Sequence, residues 1–96
     1  MNYSLSKTIK SEIIDLALQC KLDKVILFGS RARGDNHERS DIDLAIQGGN
    51  TVAFAASADE DIPPLLMFDV VDLDKPVQTE LMEEIRKDGI VLYEKV

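Results

Sequence analysis

The chain has 96 residues, of which 45% are hydrophobic and 30% charged, with five glycines and three prolines. This length predicts a single domain over residues 1–96, and the composition excludes collagen-like, low-complexity and disordered chains. No apolar run approaches the roughly 18 residues of a membrane-spanning helix. The polar N-terminal stretch does not fit a signal peptide, and the lone Cys20 excludes an internal disulfide, so we expect a cytoplasmic protein.

The charge balance is acidic, with 11 basic and 18 acidic residues giving a net charge of −7 at pH 7. The chain therefore lacks the general positive field by which a protein alone grips a nucleic-acid backbone. An acidic excess suits a cation or a basic protein partner. Solubility is the simpler explanation of the charge when it is considered alone.

In chain order, the first half of the sequence predicts a helix, a strand, a short turn of helix and a second strand. Apolar residues recur at steps of three and four over residues 5–20, which predicts an amphipathic helix with Ser4 as its N-cap. The β-branched and aromatic run Lys24–Phe28 predicts a buried strand. Ser30–Arg33 fits one helical turn, and the strict alternation over residues 41–46 predicts a strand with one apolar face.

The second half predicts two more strands and a helix. A weak pattern at residues 51–58 allows a short helix, and the apolar run 65–73 predicts a strand. Residues 77–87 predict a helix with Gly89 as its C-cap, followed by the strand Ile90–Glu94. The predicted order is α-β-α-β-β-α-β, with the helix at 51–58 left open. We therefore expect the α/β (α+β) class, a small mixed β-sheet flanked by helices.

A pair of acidic residues is the first candidate for chemistry. Asp41 and Asp43 are two positions apart on a predicted strand, so both side chains project from one face, about 6.6–7 Å apart at Cα. Neighbouring carboxylates repel and raise each other's pKa unless a cation neutralises them. Mg²⁺ is typically held by one or two carboxylates together with substrate phosphates. An isolated pair of this kind is more often an ordinary solvent-facing strand surface.

A possible phosphate-binding turn precedes this acidic pair. Gly29 ends the first predicted strand and permits close approach to the backbone, and Ser30 can offer its hydroxyl and N–H to a phosphate. Arg31 and Arg33 follow, and guanidinium groups suit phosphate contacts. Each feature alone fits a plain turn or a solvated face. Together with the acidic pair they predict a site for a nucleoside triphosphate and its Mg²⁺.

A third acid would complete such a site, and the apolar run 65–73 contains two candidates. Asp69 lies deep in that run, where an unpaired buried charge is costly and needs a cation or a partner. Asp72 is three positions later and faces the other way, so only one of the two can join the acidic pair. Sequence physics alone does not choose between them. We expect Glu84 on a solvated helix face, and the lone His37 does not suggest a zinc site.

These motifs resemble the nucleotidyltransferase superfamily of the polymerase-beta type, and more closely its minimal nucleotidyltransferases. The Gly-Ser, Ala-Arg-Gly and Ser-Asp-x-Asp parts of the family signature are matched by Gly29, Ser30, Ala32, Arg33, Gly34, Ser40, Asp41 and Asp43. The family's third carboxylate lies between apolar residues on the next strand, a context that Asp69 matches better than Asp72. The resemblance is weakest over residues 47–64.

The resemblance implies transfer of a nucleoside monophosphate, with AMP from ATP favoured, to a hydroxyl, with release of pyrophosphate. It implies two Mg²⁺ ions, with Mn²⁺ as an alternative, held by Asp41, Asp43 and Asp69. Asp69 would also help to deprotonate the acceptor. The nucleotide-binding residues would be Gly29, Ser30, Arg31 and Arg33.

The resemblance also implies a separate small helical partner, because related minimal enzymes pair with one. That partner is either a HEPN-type toxin neutralised by nucleotide attachment or a substrate-binding subunit. The alternative is a non-catalytic antitoxin that neutralises its partner by binding alone. The base, the acceptor and the formation of a homo-oligomer stay open.

Overall fold

The computed structural model describes residues 5–36, 41–62 and 67–95. Its elements are α1 (Lys7–Gln19), β1 (Lys24–Phe28), α2 (Ser30–Arg33), β2 (Ile42–Gln47), α3 (Thr51–Asp61), β3 (Phe68–Asp72), α4 (Thr79–Asp88) and β4 (Ile90–Glu94). The strands form one sheet in the order β3-β2-β1-β4. This confirms the predicted small mixed sheet flanked by helices. None of the helices in the described ranges combines the length and the apolar character needed to cross a membrane.

The directions of the strands explain why helix α3 is needed between β2 and β3. Strand β1 pairs antiparallel with β2 and with β4, whereas β2 and β3 are parallel neighbours. Parallel neighbours need a crossover connection, and α3 supplies it. The predicted order lacked this helix, and the weak pattern at residues 51–58 underestimated its length. The helix is rich in small alanines, and among its described side chains only Phe54 and Ala58 are buried, so these show no broad apolar stripe.

The core lies on both faces of the sheet, and the two sides differ in size. The larger cluster joins α1 and α3 to the sheet and includes the fully buried Ile13, Leu27, Leu44 and Phe54. Cys20 is buried in this cluster, as the apolar stripe of α1 predicted. The smaller cluster, on the opposite face, consists of Phe28, Ala45 and Ile85 with partly buried neighbours. Helix α4 therefore covers only part of that face.

Several predicted boundaries shift by a few residues. Helix α1 is capped by Ser6, whose Oγ accepts a hydrogen bond of 3.1 Å from the Ile9 N–H. The predicted cap, Ser4, lies outside the described residues. Strand β2 begins one residue later than predicted, so Asp41 precedes it. Strand β3 is shorter than the apolar run, of which residues 65 and 66 lie outside the described part.

Gly89 ends α4 for a different reason from the one predicted. Its φ and ψ are −64° and 136°, which is extended backbone and not the left-handed conformation of a typical glycine cap. A Cβ at this position would lie 2.7 Å from Cγ2 of Ile26 and would also meet the carbonyl oxygen of Ile85. The glycine is therefore required for close packing of the helix end on β1.

Asp72 connects the end of β3 to the start of α3. The Thr51 hydroxyl donates a hydrogen bond of 2.7 Å to Asp72 Oδ2, and the Asp74 N–H donates one of 2.9 Å to Oδ1. The bond from Thr51 is the main reason that the pKa of Asp72 is lowered, with burial opposing it and the Asp74 N–H adding to it. Asp72 is thus a structural carboxylate.

We expect Thr51→Val to lower the unfolding temperature at neutral pH by roughly 4–8 °C. This corresponds to about 1 kcal/mol for one hydrogen bond in a domain of this size. Because folding lowers the pKa of Asp72 below 3.8, its stabilisation is present above that value and is lost as the pH falls through the folded pKa. The difference between the two proteins should therefore shrink in melts recorded from about pH 6 down to about pH 3.

The exposed Thr79 provides the control, since Thr79→Val makes the same chemical change at the start of α4. Its melting difference should be small and should not depend on pH. A Thr51→Val difference of the same size at both ends of the pH range would contradict the assignment, because the hydroxyl would then act independently of the Asp72 carboxylate.

Candidate active site

The site begins at the turn between β1 and α2. Gly29 follows the last residue of β1 and has a φ of +77°, a conformation that side-chain-bearing residues rarely adopt. A Cβ on Gly29 would collide with the carboxylate of Asp43. Glycine is therefore needed here twice over, for its backbone conformation and for the room that the Asp43 side chain occupies.

The register of the sheet determines which acids meet. Phe28 of β1 pairs with Asp43 of β2, and Asp43 in turn pairs with Asp69 of β3. Paired residues on neighbouring strands point to the same face, so the side chains of Asp43 and Asp69 lie next to each other. Asp72 pairs with Ile46 instead. The register thus brings Asp69 to the acidic pair, a choice that strand alternation alone left open.

The expectation that Asp69 is buried is wrong. The residue is exposed, because β3 is an edge strand and α4 covers only part of this face of the sheet. Asp43, on the more central β2, is partly buried. The two acids therefore differ in environment, one open to solvent and the other held against the turn at Gly29.

The charges around Asp43 show that more than two acids converge on this site. The pKa of Asp43 is raised to about 6, first by burial and then by Asp69, Asp41 and Glu84, while Arg33 opposes the shift. Asp41 is exposed just before β2, and Glu84 belongs to α4. The charges of the other two predicted acids, Asp41 and Asp69, thus act on Asp43.

Glu84 is the acid that sequence reasoning missed, because it was expected on a solvated helix face. It is exposed, yet it lies within electrostatic reach of Asp43. Its position four residues before Asp88 was the available signal, since residues at this spacing share one face of a helix. That signal does not show which element the face meets.

Arg33 links the α2 turn to α4. Its Nε donates a hydrogen bond of 3.1 Å to Asp35 Oδ2, and its Nη1 donates one of 3.1 Å to Asp88 Oδ2. Glu84 Oε1 lies 3.7 Å from the same Nη1. The side chain nevertheless remains 40% exposed. A guanidinium in this position carries positive charge to the edge of an acidic site.

Arg31 and Ser30, the other polar residues predicted at the turn, have different surroundings. Arg31 is only 6% exposed and has an interaction partner within the protein. Its position suits support of the turn better than contact with a phosphate in solvent. Ser30 is the first residue of α2 and is partly buried. His37 and Ser40 lie outside the described residues.

The donor chemistry of the site fits Mg²⁺. No three acidic, histidine or cysteine side chains in the described ranges are arranged as they stand to hold a metal ion. Mg²⁺ does not require such a cage, because it commonly binds through one or two carboxylates and the phosphates of a substrate. Asp43 and Asp69 offer two oxygen donors side by side. The pKa of Asp43 is raised first by burial and then by the charges of Asp69, Asp41 and Glu84, and a divalent cation would offset those charges.

Known structures share this fold. A toxin–antitoxin protein solved with AMP-PNP has a TM-score of 0.73 and 26% identity, covering 90% of this chain and 73% of that chain. A mutant of the toxin–antitoxin MntA–HpeT has a TM-score of 0.72 and 27% identity, covering 96% of this chain and 75% of that chain. A structure from Shewanella oneidensis, with a TM-score of 0.69 and 18% identity over 95% of this chain and 74% of that chain, shows the fold alone.

Sequence comparisons identify the family. A relative from Methanocaldococcus jannaschii, named as a candidate protein adenylyltransferase, is 55% identical over 40 residues. The match covers 42% of this chain and 39% of the relative, so it spans about two fifths of that protein's length. The family model described as polymerase beta nucleotidyltransferase matches residues 11–96. The chain therefore belongs to the polymerase beta nucleotidyltransferase family, in agreement with the resemblance of its Gly-Ser and Asp-x-Asp motifs to that family.

Proposed function

We propose that this protein is a Mg²⁺-dependent nucleotidyltransferase that transfers AMP from ATP to a hydroxyl of a partner protein or of a substrate held by a partner. The observation that carries the proposal is the register pairing of Asp43 with Asp69 beside the turn at Gly29. This arrangement places oxygen donors for a cation next to a turn that can approach phosphates. The toxin–antitoxin relative solved with AMP-PNP supports an adenine nucleotide and a protein partner.

The proposed reaction divides its tasks among the residues of the site. The acceptor oxygen forms a bond to the α-phosphorus, the bond from that phosphorus to pyrophosphate breaks, and the acceptor proton leaves. Asp41, Asp43 and Asp69 would hold Mg²⁺ or Mn²⁺, which supplies charge neutralisation at the phosphates. Asp69, the more exposed of the paired acids, is accessible to an incoming acceptor and takes the proton.

The phosphate side of the site is assigned to the turn. Ser30 would donate its hydroxyl to a phosphate oxygen, and the glycine at position 29 lets the phosphates approach the backbone. Arg33 adds positive charge beside Asp43. We assign Arg31 to support of the turn, because its side chain is buried.

A second candidate function is neutralisation of a helical partner by binding alone. The toxin–antitoxin neighbours, at 25–27% identity, favour a role of this general kind. The acidic cluster argues for catalysis. Burial and three neighbouring acids raise the pKa of Asp43 to about 6, and a binding-only protein has no need to maintain such a destabilised carboxylate.

The decisive experiment is incubation with labelled ATP, Mg²⁺ and the protein encoded beside this chain in its genome. We expect the partner, or the substrate that it holds, to be labelled, and we expect Asp43→Asn to reduce labelling by at least about 10²-fold. The unfolding temperature of the variant should be equal to or higher than that of the wild type, because asparagine removes a charge whose ionised form is disfavoured in the fold.

The exposed Glu80 of α4 serves as the control, and Glu80→Gln should label its partner at the wild-type rate. Full labelling by Asp43→Asn at matched protein levels would overturn the catalytic assignment. Neutralisation of the partner by wild-type protein without any label would instead support the binding-only function.

Ser30→Ala tests the phosphate side of the site. Loss of one hydrogen bond to a charged group is about 1.5–3 kcal/mol, so the affinity for Mg²⁺–ATP should fall by roughly tenfold or more. The unfolding temperature should change little, since this hydroxyl has no place in either apolar cluster. Isothermal titration measures the affinity. An unchanged dissociation constant would mean that Ser30 is only a turn residue.

The two acids of β3 should behave differently when each is changed to asparagine. Asp69→Asn should abolish transfer yet retain most Mg²⁺-dependent ATP binding, because Asp41 and Asp43 remain. Asp72→Asn should retain transfer and binding and lose only stability, because its partners are Thr51 and the Asp74 N–H. Transfer rates of the two variants, measured side by side, decide the matter. An inactive Asp72 variant with an active Asp69 variant would reverse the assignment.

A further inference from the structure

We propose that Asp88, supported by Glu84, is a positioning residue that holds the Arg33 guanidinium on the phosphate side of the site. The inference rests on the proposed function, since it concerns how this chain presents a cation to a triphosphate. Asp88 lies 55 positions from Arg33 in sequence, and the contact joins the end of α4 to the α2 turn.

The geometry joins a well-packed acid to an accessible cation. Asp88 Oδ2 lies 3.1 Å from Arg33 Nη1, and the Asp88 side chain is only 16% exposed, against 40% for Arg33. Glu84, one turn earlier on α4, has Oε1 3.7 Å from the same nitrogen. Asp35 Oδ2 accepts a hydrogen bond from Arg33 Nε, and these two atoms are also 3.1 Å apart. The acids thus engage Nε and Nη1 and, among the described residues, no hydrogen bond occupies Nη2.

Helix electrostatics indicate that Asp88, at the end of α4, does not stabilise the helix itself. The C-terminal end of a helix carries partial negative charge, so a carboxylate in the last turn is disfavoured and a cation is favoured. Arg86 and Lys87 in the same turn follow that rule, whereas Asp88, the last residue, does not. Its low exposure increases the cost. The ion pair with Arg33 is the compensation that the structure provides.

The end of α4 is fixed firmly enough to serve as an anchor. The backbone at Gly89 packs so closely on β1 that a Cβ there would meet Ile26, and the Gly89 N–H donates a bond of 2.8 Å to the Ile85 carbonyl. Strand β1 leads directly into the turn at Gly29. The Asp88 carboxylate is therefore held in a fixed relation to the strand whose end forms the site.

Arg33 needs to be held because the carboxylates of the site lie near it. It lies within electrostatic reach of Asp43, and Asp69 is paired with Asp43. A long, half-exposed guanidinium without its α4 partners would be drawn onto these carboxylates, where it would compete with a metal ion. Asp88 and Glu84 thus keep the Arg33 guanidinium beside Asp43 and Asp69 and prevent it from occupying the metal position.

A double-mutant cycle tests the proposal. The affinity for Mg²⁺–ATP is measured by isothermal titration for the wild type, Asp88→Asn, Arg33→Ala and the double variant. We expect Asp88→Asn to weaken binding by roughly tenfold, within the ~10²-fold that a misplaced group can cost. We expect it to have no further effect once Arg33 is absent. An equal loss in both backgrounds would mean that Asp88 acts through general stability, and would overturn the proposal.

A second measurement does not depend on nucleotide binding. The NMR signals of the Arg33 Nη1 hydrogens report whether Asp88 orders the guanidinium, because Nε is engaged by Asp35 and Nη1 by Asp88. These signals should be sharp in the wild type, broadened in Asp88→Asn, and unchanged in Glu83→Gln, an acid-to-amide control at an exposed position of α4. An Asp88→Asn protein with the wild-type signal would contradict the proposal whatever its affinity. Glu84→Gln replaces Asp88→Asn in both measurements if the latter fails to fold.

These measurements separate the two proposals. A wild-type protein that binds no Mg²⁺–ATP contradicts the proposed function and with it the purpose assigned to Arg33. The signals of the Nη1 hydrogens still decide whether Asp88 holds that side chain. Normal binding with an ordered guanidinium in Asp88→Asn contradicts only the positioning role.

Discussion

The site depends on one close contact, that of the Asp43 carboxylate with the backbone at Gly29. The contact exists because β1 and β2 pair with Phe28 opposite Asp43, which brings the carboxylate over the residue that follows the strand. A shift of one residue in this pairing would send Asp43 to the opposite face, into the larger core. The apolar residues that pin the register, such as Leu27 and Leu44, are therefore indirectly responsible for the chemistry of the site.

The same contact has an energetic cost that suits a functional site. Burial and the charges of neighbouring acids disfavour the ionised form of Asp43 and raise its pKa to about 6. A domain of this size has little stability to spare. Carboxylates arranged in this way are common where a cation or a substrate completes the charge balance. Solubility was the simpler explanation of the acidic net charge, but part of that charge comes from the acids that converge on this site.

How much the sequence could predict depends on the range of the interaction. Local patterns located β1, α2 and β4 correctly, because alternation, glycine and β-branching act over a few residues. The crossover helix α3 was underestimated because alanine-rich turns leave no broad apolar stripe. The pairing of Asp69 with Asp43 could be reached only through a resemblance, since strand alternation separates two faces but does not set a register between strands. The exposure of Asp69 followed from the position of β3 at the sheet edge, which local patterns do not show.

Helix α4 shows how a small domain combines a packing role with an electrostatic one. Its apolar side, through Ile85, covers the face of the sheet that carries the acidic pair, and its end packs on β1 at Gly89. Its acidic side meets Arg33 through Asp88 and Glu84. Because one helix does both, its packing on the sheet also fixes the position of the carboxylates that bind Arg33. The helix in this way keeps Arg33 in ion pairs at its end, while the sheet face that it partly covers carries Asp43 and Asp69.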